Sequence, residues 1–116
     1  DQQFQALPSL EFQNLKVGIL INDRSASAAE VFTAALKEHG RAWVIGEKSY
    51  GKGVVQKLFP LSNGAALQMT VSHYYTPSGR MIEGVGIAPN QVYPMPHELK
   101  DESYVEHVAE ILINRR

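Results

Sequence analysis

The chain has 116 residues, 44% of them hydrophobic and 20% charged, with a net charge of −1, no cysteine and no apolar run long enough to span a bilayer. That is about one soluble domain with a single modest core. It excludes disulfides, thiol catalysis and thiolate metal sites, and gives no electrostatic case for nucleic acid or anionic membrane as a partner.

Residues 1–15, "DQQFQALPSLEFQNL", are Gln-rich without a clear period and read as a lead-in segment. The start at Asp1, with no signal-peptide pattern, suggests a mature form or an excised piece. "VGILIN" (17–22) is a short apolar run, predicted as a strand buried on both faces. "SASAAEVFTAALKEHG" (25–40) predicts a helix: Ser27 and Glu30 have capping-box spacing, Gly40 ends it, and Val31, Phe32, Ala35 and Leu36 fall at helical intervals. "RAWVIG" (41–46) is a second strand, so a βαβ unit with a parallel pair follows. "VVQKLF" (54–59) is a third strand and "NG" (63–64) a hairpin turn. "ALQMTVSHYY" (66–75) alternates, which would place Leu67, Met69, Val71, His73 and Tyr75 on one face. "TPSGR" and "EGVGIAPN" are turn-rich. "DESYVEHVAEILINRR" (101–116) predicts an amphipathic helix striped by Tyr104, Val105, Val108, Ile111 and Leu112. Residues 16–116 therefore read as one α/β domain.

Four constellations could hold chemistry. "GEKSYGKG" (46–53) matches a phosphate-binding loop at Gly46, Gly51 and Lys52. It has Gly53 where the Mg²⁺-binding hydroxyl belongs, and a strand rather than a helix follows. The histidines, His39, His73, His97 and His107, have no zinc-motif spacing. His39 and His107 read as solvated or capping groups. His73 reads as a packed strand residue, with a role as base to Ser27 as the sharper alternative. "GVGIAPN" carries Gly84 and Gly86 but opens no helix, so it lacks the context of a dinucleotide site.

The fourth constellation is Ser27 with Lys52. A serine needs a positioned base, and lysine serves only when neutral, a state favoured by burial. Lys52 lies between two glycines and beside "VV", a setting that predicts such burial. Ser27 opens a helix, where the Ala28 N–H can stabilise an oxyanion. Gln56 shares a strand face with positions 52 and 54, so its amide oxygen can orient Lys52. The alternative is plain: Ser27 an N-cap, Lys52 a solvated loop residue, Gln56 an exposed strand residue.

At these residues the sequence resembles a known family. "GILINDRSASAAEVFTAALKEHGRAWVIGEKSYGKGVVQ" and "HYYTPSGRMIEGVGIAPN" are similar, in order, to the catalytic core of the C-terminal processing peptidases, or tail-specific proteases. The resemblance covers 17–92. It implies Ser27 as nucleophile, Lys52 as general base, Gln56 as its support and Ala28 as an oxyanion donor. It implies a ClpP/crotonase-type fold of ββα units with a mainly parallel sheet, of which 16–116 is the C-terminal part. It further implies endopeptidase cleavage of proteins near their C-termini, without metal or organic cofactor, outside the cytoplasm: in the bacterial periplasm or on an outer membrane face. The sequence departs from the pattern in three ways. Within these 116 residues there is no PDZ domain and no upstream "NPGG" segment with the second oxyanion N–H, and Asn90 stands where Asp is usual. An exposed sheet face would then need an upstream segment or self-association to cover it. Two other readings stand beside the protease: a non-catalytic ligand- or peptide-binding module on the same fold, similar to related retinoid-binding modules, and an assembly piece docking through its last helix.

Overall fold

The computed structural model describes residues 3–5, 7, 11–94 and 102–114. Its elements are β1 (Val17–Ile21), α1 (Ala28–Glu38), β2 (Ala42–Gly46), β3 (Val54–Pro60), β4 (Ala66–His73), β5 (Gln91–Val92) and α2 (Glu102–Ile113). β1 and β2 pair in parallel from Val17–Ala42 to Ile21–Gly46, and β5 joins the far edge of β2 at Ile45–Gln91 and Gly46–Val92. The predicted βαβ unit is therefore present.

Alternation along the strands sorts the core. Ile19, Ile21 and Val44 pack with Val31 and Ala34 of α1, and Ile82 and Ile87 from the turn-rich segment close that cluster. Gly18 faces the other way. A Cβ there would run into Leu112, so α2 lies directly on the sheet at that point. Helices thus cover opposite faces. On α2, Val108 is buried and Ile111 and Leu112 half-buried, whereas Val105 is exposed; the Tyr104 side chain lies outside the described residues, as does His97.

Three expectations need correction. Of β1, only Ile21 is buried, because β1 is an edge strand of this sheet. The buried side of α1 is Glu30, Thr33 and Ala34, while Phe32 stays 60% exposed. Helical period alone placed the apolar stripe, and the polar bonds of Glu30 turn the helix instead. The single face expected of β4 is broken by a β-bulge, since Val55 pairs with Ser72 but Gln56 with Thr70. The extra residue puts His73, opposite Val54, on the other face from Leu67 and Met69. β5 was unforeseen, being two residues long. It is led in by Asn90, whose N–H donates to the Val44 carbonyl at 2.7 Å while its Oδ1 accepts the Val44 N–H at 2.9 Å. An aspartate has the same oxygen, so this departure from the family pattern leaves the contact intact.

Glu38 ties the end of α1 to the Thr76–Arg80 turn. It accepts from Arg80 Nη2 at 2.6 Å, the Ser78 N–H at 2.7 Å and Ser78 Oγ at 3.1 Å. The Arg80 guanidinium foremost, with the Ser78 donors, lowers the Glu38 pKa from 4.5 to about 2, against the opposing pull of desolvation. A lowered folded-state pKa stabilises above the unfolded value and is lost as pH falls through the folded one. Thermal melts of wild type and Glu38→Gln should therefore differ at neutral pH and converge between pH 4.5 and about 2. A gap that stays constant across that window contradicts this role.

Candidate active site

Both candidate catalytic residues leave the carboxyl ends of parallel strands, where open α/β sheets gather their ligand sites. After β1 the chain makes an Asx turn: Arg24 N–H donates to Asn22 Oδ1 at 3.0 Å, and Ser25 N–H to the Asn22 carbonyl at 2.9 Å. Ser27 then starts α1 with φ 57° and ψ −119°, the one positive φ outside glycine among the described residues. Such a conformation costs roughly 1–3 kcal/mol and needs surroundings that enforce it. A serine on a strained strand-to-helix turn is how some hydrolases expose a nucleophilic hydroxyl.

The loop after β2 runs alongside. Glu47 N–H donates to the Ile21 carbonyl and Tyr50 N–H to the Ser25 carbonyl, both at 2.9 Å. Between the two loops lies Glu30, only 1% exposed. Its Oε1 accepts from Ser49 Oγ and Gly51 N–H, each at 2.6 Å, and its Oε2 from Ser27 N–H at 2.9 Å and Lys52 N–H at 2.8 Å. The capping-box spacing found only the Ser27 partner. The others lie about twenty residues downstream, where no local pattern reaches.

The resemblance to a phosphate loop ends here. In such loops the amides face a phosphate; here the amides of Gly51 and Lys52 go to Glu30, and that of Gly53 to Glu83 Oε2 at 2.6 Å. Gly84 N–H returns to the Gly51 carbonyl at 2.9 Å, and Tyr74 N–H to the Gly53 carbonyl at 2.6 Å. The glycines serve this threading. Gly51 has φ 91°, and a Cβ on Gly53 would sit against the Glu83 backbone nitrogen and 2.8 Å from Ile82 Cβ. Glu83 carried no sequence signal.

A groove of about 930 Å³ opens beside these loops, lined by Ala26, Tyr50, Lys52, Val54, Gln56 and Glu83 among others. Ser27 is half-buried and Ala28 exposed at its helix end. The N–H groups of Ala29, Glu30 and Val31 go to the carbonyls of Ala26, Ser27 and Ser27. Among the described residues the Ala28 N–H is given to no such acceptor. Lys52 is exposed, which corrects the expected burial: the flanking glycines are buried and the side chain points off the packed loop. Gln56 lines the same groove, and its Oε1 accepts from Gln68 Nε2 at 2.6 Å. His73 is exposed on β4, His39 is the C-cap of α1, and His107 stands 3.9 Å from Glu110. Among the described residues no cluster could hold a metal ion.

Fold and site together define an α/β domain with a serine on a strained strand-to-helix turn and a lysine loop bound beside it. The chain belongs to peptidase family S41, whose pattern matches residues 2–93 and so reaches back into the lead-in segment. It is 48% identical over 86 residues, 74% of this chain and 20% of the relative, to a carboxy-terminal-processing protease of Bartonella bacilliformis. To a carboxyl-terminal-processing protease of Picosynechococcus it is 45% identical over 76 residues, 66% and 18% of the two chains. Among solved structures it resembles a photosystem II D1 C-terminal processing protease, with TM-score 0.70 and 32% identity over 85% of this chain and 25% of that one. The chain spans about a fifth of the length of these curated relatives.

Gly53→Ala should destabilise the domain by roughly 1–3 kcal/mol, because the backbone of Glu83 cannot yield as a side chain would. The midpoint of urea unfolding measures this; an unchanged midpoint would mean that the loop is not held as described.

Proposed function

We propose that this chain carries the Ser/Lys half of a serine endopeptidase that cuts protein substrates near their C-termini. The observation that supports it best is the shared acceptor. One oxygen, Glu30 Oε2, takes the N–H of both Ser27 and Lys52, so the two amide nitrogens are no further apart than those two bonds laid end to end. The spare N–H of Ala28 beside them suits an oxyanion.

In this reading Ser27 Oγ attacks the scissile carbonyl while Lys52 Nζ takes its proton. The oxyanion accepts from Ala28 N–H. Lys52 then gives the proton to the leaving amine, and a water deprotonated by the again-neutral Lys52 Nζ releases the acyl group from Ser27 Oγ. Gln56, on the groove wall with its Oε1 here held by Gln68 Nε2, would turn that oxygen to the lysine in the completed site. The amine must be neutral when it acts, yet Lys52 is exposed in this chain. The remainder of the relatives' length and the substrate itself would cover the groove and supply the second oxyanion donor. That completed body would have the ClpP/crotonase-type spiral. We place the enzyme outside the cytoplasm, in a periplasm or on an outer membrane face, acting on substrates with apolar C-terminal residues. No described helix is long and apolar enough to cross a membrane.

Joining this chain to the upstream part of a family relative and feeding it peptides with apolar C-termini tests the reading. Ser27→Ala should abolish cleavage, and Lys52→Ala should lower it by roughly 10²–10⁴. Peptide binding without cleavage would favour the binding module instead, and cleavage at an undiminished rate after either substitution would refute the dyad.

A further inference from the structure

We infer that Glu30 is the positioning residue of the Ser27/Lys52 pair: its buried carboxylate sets the spacing between the backbone segments that carry the hydroxyl and the amine. The inference rests on the proteolytic reading above and adds the group that assembles it.

A carboxylate offers about four lone-pair directions and no donor. Glu30 meets four donors from three places in the chain, namely Ser27, Ser49 and the Gly51–Lys52 pair. Helix capping needs only the first of these, and a capping glutamate ordinarily reaches back along a solvated surface. Full burial of the charged group is costly, so its retention here calls for what the other three bonds achieve. They hold the lysine loop against the start of α1. Ser49 Oγ also accepts the Ile87 N–H at 2.6 Å, so the same network anchors the core segment behind the loop.

The donors are the reason no neutral side chain replaces it. In Glu30→Gln an NH₂ group faces either Ser49 and Gly51 or Ser27 and Lys52, donor against donor, and one side must retreat. Glu30→Asp keeps the charge but is one methylene too short to reach both loops. A displacement on the order of 1 Å between reacting groups costs about 10²-fold in rate. Glu30 does not line the groove, so ligand capture should not depend on it.

The test uses this chain joined to the upstream part of a family relative, as in the peptide assay above, with an alkyl fluorophosphonate: Ser27 Oγ bonds to phosphorus, the P–F bond breaks, fluoride leaves and Lys52 takes the hydroxyl proton. Glu30→Gln should lower the limiting labelling rate about 10²-fold with little change in half-saturation, and Glu30→Asp should not restore it. In ¹H–¹⁵N spectra the Ser27 and Lys52 amides should move together in Glu30→Gln while the α1 amides from Val31 to Leu36 stay protected. Labelling at the wild-type rate in a folded Glu30→Gln, with Ser27→Ala unlabelled, overturns this inference and leaves the dyad standing. Equal labelling of wild type and Ser27→Ala, or none in wild type, overturns the dyad and this inference with it. Should Glu30→Gln not fold, Ser49→Ala decides: labelling several-fold slower supports the network, an unchanged rate sinks it.

Discussion

The geometry of this domain turns on one buried carboxylate. Glu30 lies in the first turn of a helix that packs on a parallel sheet, where its environment offers it nothing but donors. Burial strengthens each of those hydrogen bonds and makes an unmet one expensive. Around that constraint the remaining features fall into place. Ser27 is held at a φ that serine avoids because its N–H is drawn to Glu30 Oε2. The loop after β2 must bring three successive amides within reach of two carboxylates, and only residues without side chains let Gly51 and Gly53 pass so near the 82–86 turn.

The "GKG" sequence looks like a phosphate cradle for a reason rooted in the backbone. Both situations ask consecutive amides to converge on an anion. In a nucleotide site the anion is the ligand, whereas here it is supplied from within the chain by Glu30 and Glu83. In the proposed reading, what remains for a substrate is the Lys52 side chain, the groove beside it and the helix end at Ala28.

Much of this was legible in the sequence, and what was not has a physical cause. The strands, α1, the Asn63–Gly64 hairpin and α2 follow from periodicity and caps, which are local properties. The facing of α1 was not, since a stripe of Val31, Phe32, Ala35 and Leu36 cannot reveal that Glu30 and Thr33 are the buried pair. The bulge that turns His73 away from Leu67 and Met69 leaves no mark in an alternating run. β5 is too short to have a period. Ser27 and Lys52 were singled out by chemistry and by family likeness, but the group that joins them depends on contacts across about twenty residues. The expected burial of Lys52 failed because flanking glycines pack the backbone and leave the long side chain free to extend.

The most direct measurement is a crystal structure of this chain joined to the upstream part of a family relative, with the Ser27 Oγ to Lys52 Nζ distance read from density. The account predicts a hydrogen-bonding separation of about 2.6–3.2 Å, with the amine enclosed and the Ala28 N–H facing the same space. An amine still turned to solvent, with another side chain standing against the hydroxyl, would contradict it.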